Sequence, residues 1–207
     1  MSTIVTDAVT ALSGNLALLP EGSGVVTIDG LTYPAADGSA SQLMQTNGSG
    51  VLSFTDAPSS GWTLGTPVAT TSGTTVTFGS LPSTIKMAVL LMDEVSLDGN
   101  VDFDVTIGDS GGLHTSSYVS VSKPSEMITS TAEFNIYNSN AGFNFTGAMT
   151  IMLQNASTFR YISTHVVSRG TNDVNKGTGV VTLDSVMTQI SISGGTFDAG
   201  AVNLMYI

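Results

Sequence analysis
The chain has 207 residues, no cysteine and a formal net charge of −11, from 16 acids against 5 bases. These values exclude a disulfide framework, a thiolate metal site and a thiol nucleophile, and they argue against tracking nucleic-acid phosphates, lying on an anionic membrane surface or inserting into a membrane. Only 10% of residues are charged while 41% are hydrophobic; average soluble domains carry roughly 25% charge, so the composition is that of an ordered chain with a surface of Ser, Thr, Asn and Gly.

Residues 1–20 lack a positively charged opening, and their longest apolar stretch is Leu16–Leu19, so no secretory signal is expected there. One short helix is expected near Asp7–Leu12. The first 60 residues hold no Lys or Arg, are dense in Gly, Ser, Thr and Ala, and have too few large apolar residues for a core of their own. They are expected to form an extended attachment or trimerisation segment, covered by packing against other copies or docking onto an assembly. Asp56–Gly61, with its Pro, Ser and Gly, reads as the linker.

Beyond it, short apolar or alternating runs recur between Gly, Pro, Asn and Asp turns, the pattern of antiparallel strands. Strands are expected at Thr74–Phe78, Lys86–Met92, Val101–Ile107, Ser117–Val121 and Ala132–Tyr137. Others follow at Met149–Leu153, Tyr161–Val167, Gly179–Leu183, Met187–Ile192 and Ala201–Tyr206, after an early one at Val25–Ile28. In Val101–Ile107 strict alternation puts Val101, Phe103, Val105 and Ile107 on a buried face and Asp102 and Asp104 in solvent. The expected fold is all-β: an antiparallel, jelly-roll-like β-sandwich over residues 61–207, preceded by the extended segment over residues 1–60.

Two stretches carry a resemblance. The first is Gly24–Gly38, ending Tyr33-Pro34-Ala35-Ala36-Asp37-Gly38, followed by Gln42-Leu43-Met44-Gln45-Thr46-Asn47-Gly48-Ser49-Gly50-Val51-Leu52-Ser53-Phe54. It is similar to the segment that precedes the distal domain of phage tail fibres. The second spans Gly65–Ile207, with Phe78-Gly79-Ser80-Leu81-Pro82, Asp93-Glu94-Val95-Ser96-Leu97-Asp98-Gly99, Ile107-Gly108-Asp109-Ser110-Gly111-Gly112 and the closing Gly194–Tyr206. It resembles a β-sandwich domain at the C-termini of phage tail proteins. The resemblance implies a virion structural protein assembled in the host cytoplasm: a homotrimeric short tail fibre or receptor-binding protein, joined to other virion proteins through its N-terminal segment and binding a host-surface glycan. No long shaft or tail-attachment domain is evident, which keeps a capsid decoration, head-fibre or adaptor protein as the alternative.

The residues single out few sites. Asp93, Glu94, Asp98, Asp102, Asp104 and Asp109 place six acids in 17 residues; Asp93, Asp98 and Asp109 are the candidate calcium ligands, although the ordered spacing of a calcium loop is missing. Trp62, Tyr118 and Tyr161 are the candidate aromatic platforms for a sugar, with Tyr137 beside them, and the segments Asp109–Ser117 and Ser168–Gly179 are the candidate binding loops. His114 and His165 stand apart without a Gly-x-Ser-x-Gly elbow, and no pair of acids is marked for glycoside hydrolysis. No cofactor and no catalytic residue are expected. A polysaccharide-degrading tail enzyme is the alternative outside the structural class.

Overall fold
The computed structural model describes residues 24–57, 61–123, 128–170 and 173–207. The helix expected over Asp7–Leu12 and the middle of the expected linker lie outside the described residues. The chain divides into two compact units, Met1–Ser60 and Gly61–Ile207.

In the first unit, β1 (Thr27–Ile28) and β2 (Leu31–Thr32) form a hairpin across Asp29-Gly30, both at positive φ (50° and 77°). That is the two-residue turn whose twist matches paired strands, and it needs Asp-Gly or a similar pair. A second hairpin joins β3 (Gln42–Thr46) to β4 (Leu52–Asp56). Its turn is built by Asn47, whose Oδ1 accepts the N–H groups of Ser49 (2.8 Å) and Val51 (3.1 Å). Gly38 leaves room for the Phe54 ring, which a Cβ there would meet at 2.6 Å. No described residue of this unit is buried.

The second unit is an all-β antiparallel sandwich. One sheet takes the order β10 (Gly112–Leu113), β9 (Phe103–Asp109), β17 (Gln189–Ser193) and β7 (Thr75–Phe78), with β13 (Phe134–Ile136) also paired to β9. The other runs β12 (Ile128–Ser130), β11 (Val119–Lys123), β16 (Asp173–Thr182), β15 (Arg160–Arg169), β14 (Phe145–Asn155), β8 (Met87–Leu97), β18 (Phe197–Tyr206) and β5 (Thr63–Leu64). The short β6 (Val68–Ala69) also pairs with β18. Alternation decides which side chains go inward: Phe103, Val105, Ile107, Phe134 and Ile136 from one sheet meet Leu90, Phe145, Met149, Ile151, Val167 and Leu204 from the other. Phe103 packs edge-on to Phe145 (centroids 5.0 Å apart), and Tyr118 edge-on to Phe134 (4.8 Å).

Two departures from the expected strands have clear causes. Glu94 (φ 51°) and Gly200 (φ 86°) form a bulge where β8 and β18 change register; a Cβ on Gly200 would meet the Glu94 carbonyl at 2.4 Å. Along β16, Gly177 and Gly179 sit mid-strand because the buried His165 and Phe134 rings occupy the space of their missing side chains. Ser168–Gly179, expected as a binding loop, is therefore mostly the end of β15 and the start of β16.

A polar network supports the end of the sandwich where β13 lies. The free edge of β13 and the residue after it donate to serine hydroxyls of the facing sheet: Asn135 N–H to Ser120 Oγ and Tyr137 N–H to Ser122 Oγ, both at 3.1 Å. Ser122 donates in turn to Asn175 Oδ1 (2.8 Å), and Asn175 Nδ2 donates to the Tyr137 carbonyl (2.7 Å). His165 lies 3.1 Å from the same Asn175 oxygen. Burial holds its imidazole below the usual pKa, and the Asn175 hydrogen bond opposes this only in part. These bonds fix Asn135 and Tyr137, which wall the cleft described next.

Candidate functional site
On the outward face of β9 and β13 lies a cleft of about 780 Å³, bounded by the loops around Asn100, Ser130 and Ser139. Its position follows from the pleat: inward Phe103, Val105, Phe134 and Ile136 leave Asp104 and Asn135, opposed in register, on the other face. Asp102, just before β9, accepts Asn135 Nδ2 at Oδ2 (3.0 Å) and the Asn138 N–H at Oδ1 (2.8 Å), which ties the chain after β13 to the start of β9. Glu133, in the β12–β13 turn, accepts a hydrogen bond from Ser130 Oγ. Tyr137 lines the same cleft and lies under the Arg169 guanidinium, 5.7 Å from the ring centroid.

Electrostatics sets Asp104 apart. Burial, then the neighbouring charges of Glu133 and Asp102, push its carboxyl up to about 6, with the Asn135 amide pulling the other way. Asn135 is 4% exposed. Its Oδ1 has no partner among the described residues. Chemically the cleft offers carboxylate and amide acceptors, serine hydroxyls and one aromatic ring, a set suited to a polyhydroxylated ligand. Within it, Asp102 and Asp104 are not the solvated aspartates expected from the alternation; both lie partly buried in the cleft wall, while Val101 is 45% exposed.

The aromatic candidates fare differently. Tyr118 and Tyr161 are 1% and 0% exposed, so neither face is open to a sugar ring. Their hydroxyls are consumed inside the sandwich, accepting the Ile107 N–H and the Met187 N–H respectively, each at 2.9 Å. Both are corrected from glycan platforms to packing residues, since β-sheet aromatics at inward positions serve the core first. Trp62 is 46% exposed but does not line the cleft.

The metal candidates do not converge. Asp98 lies in the turn before β9 and Asp109 at its far end, so roughly 20 Å of strand separates them, and Asp93 sits on β8. Asp109 instead approaches His114 (Nε2 to Oδ2, 3.4 Å), which lies 3.8 Å from Asp184 Oδ2. These three form the only group of three or more acid or histidine side chains among the described residues whose ligand atoms all lie within 4.8 Å of one another. Asp109 Oδ1 accepts the Gly111 N–H (2.8 Å), and Oδ2 accepts those of Asp184 (3.1 Å) and Ser185 (2.9 Å). Burial opposes its ionisation, but these donors and His114 more than offset it and hold the carboxyl below its usual range. With both oxygens committed to N–H groups, Asp109 is a staple joining the β9–β10 turn to the loop before β17.

No family model matches this chain, and no curated protein matches it.

Proposed function
We propose that the protein is a virion structural component, a short phage tail fibre or receptor-binding protein, that attaches to a host-surface glycan through the cleft and does not cleave it. The cleft is the observation that carries this reading: hydrogen-bonding groups and one aromatic ring held on paired strands. The resemblance of the hairpin and sandwich stretches to tail-fibre proteins supports it. Repeated weak sites on one particle provide firm attachment through effective concentration, so a shallow polar cleft suffices. The first unit, in which no described residue is buried and Val25, Leu43 and Met44 are exposed, suits association with further copies in a homotrimer or with other virion proteins. A capsid decoration or adaptor role rests on the same exposed hairpins and is favoured over the fibre if light scattering finds a monomer.

Glycoside hydrolysis is the second reading, favoured by one observation: Asp104, half-neutral near pH 6, shares a cleft with Glu133. Immobilised polysaccharides of varied charge, probed with the full chain, separate the two. Attachment is expected to show as binding to at least one class, weakened tenfold or more by Glu133→Gln, with no new reducing ends. Release of oligosaccharides replaces attachment by hydrolysis, and binding to none of the polysaccharides defeats both.

A further inference from the structure
We infer that the outward face of the larger sheet packs against the same face of a second copy of this chain, about a two-fold axis along the strands between β14 and β15. The inference goes beyond the attachment reading and stands without it. Val119, Val166 and Leu64, at 69%, 62% and 61%, are the most exposed large apolar residues described, and all three project from this face. The alternation that turns Leu90, Met149 and Leu204 into the core turns Val89, Met152 and Met205 outward. Register joins them across the sheet: Leu64 opposes Met205 and Met205 opposes Val89, while Met152 opposes Ile162, which opposes Val180, which opposes Val119. The result is an apolar band, the kind of continuous patch that marks an interaction surface.

Area and charge identify the occupant as another copy. β16, β15, β14, β8 and β18 are neighbours of ten or eleven residues each. At about 4.8 Å between strands and about 3.3 Å per residue they span roughly 800 Å², the share one partner contributes to a stable interface. Lys123 and Lys176 oppose each other in register on β11 and β16, and neither joins an ion pair among the described residues. Like charges set opposite each other destabilise a sheet. An acid brought by a partner relieves them, and this chain has an exposed one, Asp93, on β8 of the same face.

One symmetry operation satisfies both features. The axis divides the strand path β12-β11-β16-β15-β14-β8-β18-β5 at its middle, so β8 crosses the partner's β16, and β18 and β5 cross the partner's β11 and β12. Rotation about an axis along the strands preserves height, so opposed groups follow from register. Leu64 stands level with Val121, through Val89, Thr150 and Thr178. It therefore meets the partner's copy of a groove of about 490 Å³ walled by Val119, Val121, Ile162 and Val180. In the same way Leu91 stands level with Lys176, through Ala148 and Val166. Asp93 lies two residues, about 7 Å, further along β8, within the span of the partner's Lys176 side chain. Each contact is made twice, and aligned sheets pack face to face at about 30°.

Sedimentation equilibrium on the full chain, from micromolar to millimolar, tests the pairing. The wild type is expected to assemble into an even number of copies. Thr164→Glu, at an exposed position beside the axis, is expected to weaken that association at least tenfold while leaving the circular dichroism and the urea midpoint unchanged. Asp93→Lys and Lys176→Asp are each expected to weaken it several-fold, and together to restore it to within about twofold. A mass that stays at one copy throughout overturns the pairing, as does an association that all these variants leave untouched. A trimer untouched by them overturns it as well and leaves the trimeric reading of the first unit standing. Polysaccharide binding, carried by the cleft on the opposite sheet, is expected to survive Thr164→Glu, so failure of one reading is told apart from failure of the other.

Discussion

Residues 24–57 and residues 61–207 are both built from antiparallel strands, yet among the described residues only the second set buries apolar side chains fully. Phe103, Phe134 and Phe145 are 0%, 1% and 0% exposed, whereas Val25, Leu43 and Met44 remain 58%, 52% and 49% exposed. The hairpins have turn chemistry as good as any in the sandwich, with Asp29-Gly30 and Asn47 in place. What they lack is a second layer, because two-stranded ribbons have nothing to bury a face against. Local sequence makes a strand pair; stability comes from stacking one sheet on another.

Matched substitutions in the two units sharpen that contrast. Phe103→Ala removes a ring packed against Phe145 and Phe197 and is expected to cost about 3–5 kcal/mol in urea unfolding of the sandwich. Phe54→Ala in the hairpin is expected to leave the same transition within about 0.5 kcal/mol. A comparable loss from Phe54→Ala breaks the comparison, since it makes the hairpins part of the same cooperative unit.

A second pair isolates packing from backbone strain. Gly73 (φ 80°), in the sandwich between β6 and β7, has open space where a Cβ would stand, so Gly73→Ala is expected to cost about 1–2 kcal/mol from the left-handed backbone alone. Gly200→Ala adds a collision with the Glu94 carbonyl in the bulge, and thermal unfolding is expected to show roughly 1–3 kcal/mol more. Equal effects mean that the bulge relaxes to accept a methyl group.

The smallest effects come from pH and belong to the sandwich alone. Asp104, raised in the fold to about 6 from 3.8, lowers stability above pH 6, and this penalty disappears as pH falls through 6 toward 3.8. Asp104→Asn is therefore expected to raise the unfolding midpoint at pH 7–8 and to change nothing below about pH 3.8. His165, depressed from 6.5 by burial, acts with the opposite sign: its contribution is present above 6.5 and is lost as pH falls from 6.5 through the lower folded value. His165→Gln is expected to flatten the loss of stability on that acid side, followed by circular dichroism. A slope unchanged by His165→Gln removes this histidine from the acid response.

Much of the sandwich was legible because β9 and β17 alternate cleanly and inward residues alone fill the core. Boundaries were harder. Gly177 fell inside the expected loop Ser168–Gly179 and Gly179 at the start of an expected strand, and only the packing of His165 and Phe134 explains them as mid-strand positions. Tyr118 and Tyr161 looked like binding residues because their hydroxyl partners, Ile107 and Met187, come from other segments. The cleft was half visible: Asp102 and Asp104 belonged to the evident acidic cluster, whereas Glu133 and Asn135 join them only through the pairing of β13 with β9. Alternation assigns a side chain to a face, but it does not say what else occupies that face.

The placement of β8 has a consequence for biosynthesis. It lies between β14 and β18, and Ala88 pairs with Tyr206. On the ribosome β8 emerges before either neighbour, with Ala88, Leu90 and Met92 all destined for the core. One edge of this long apolar strand stays open until β14 is translated and the other until β18 is, so the nascent chain passes through a stage in which pairing with the wrong partner competes with waiting for the right one. Crowded synthesis of many copies makes that interval the period when chaperones matter most to the yield of folded protein.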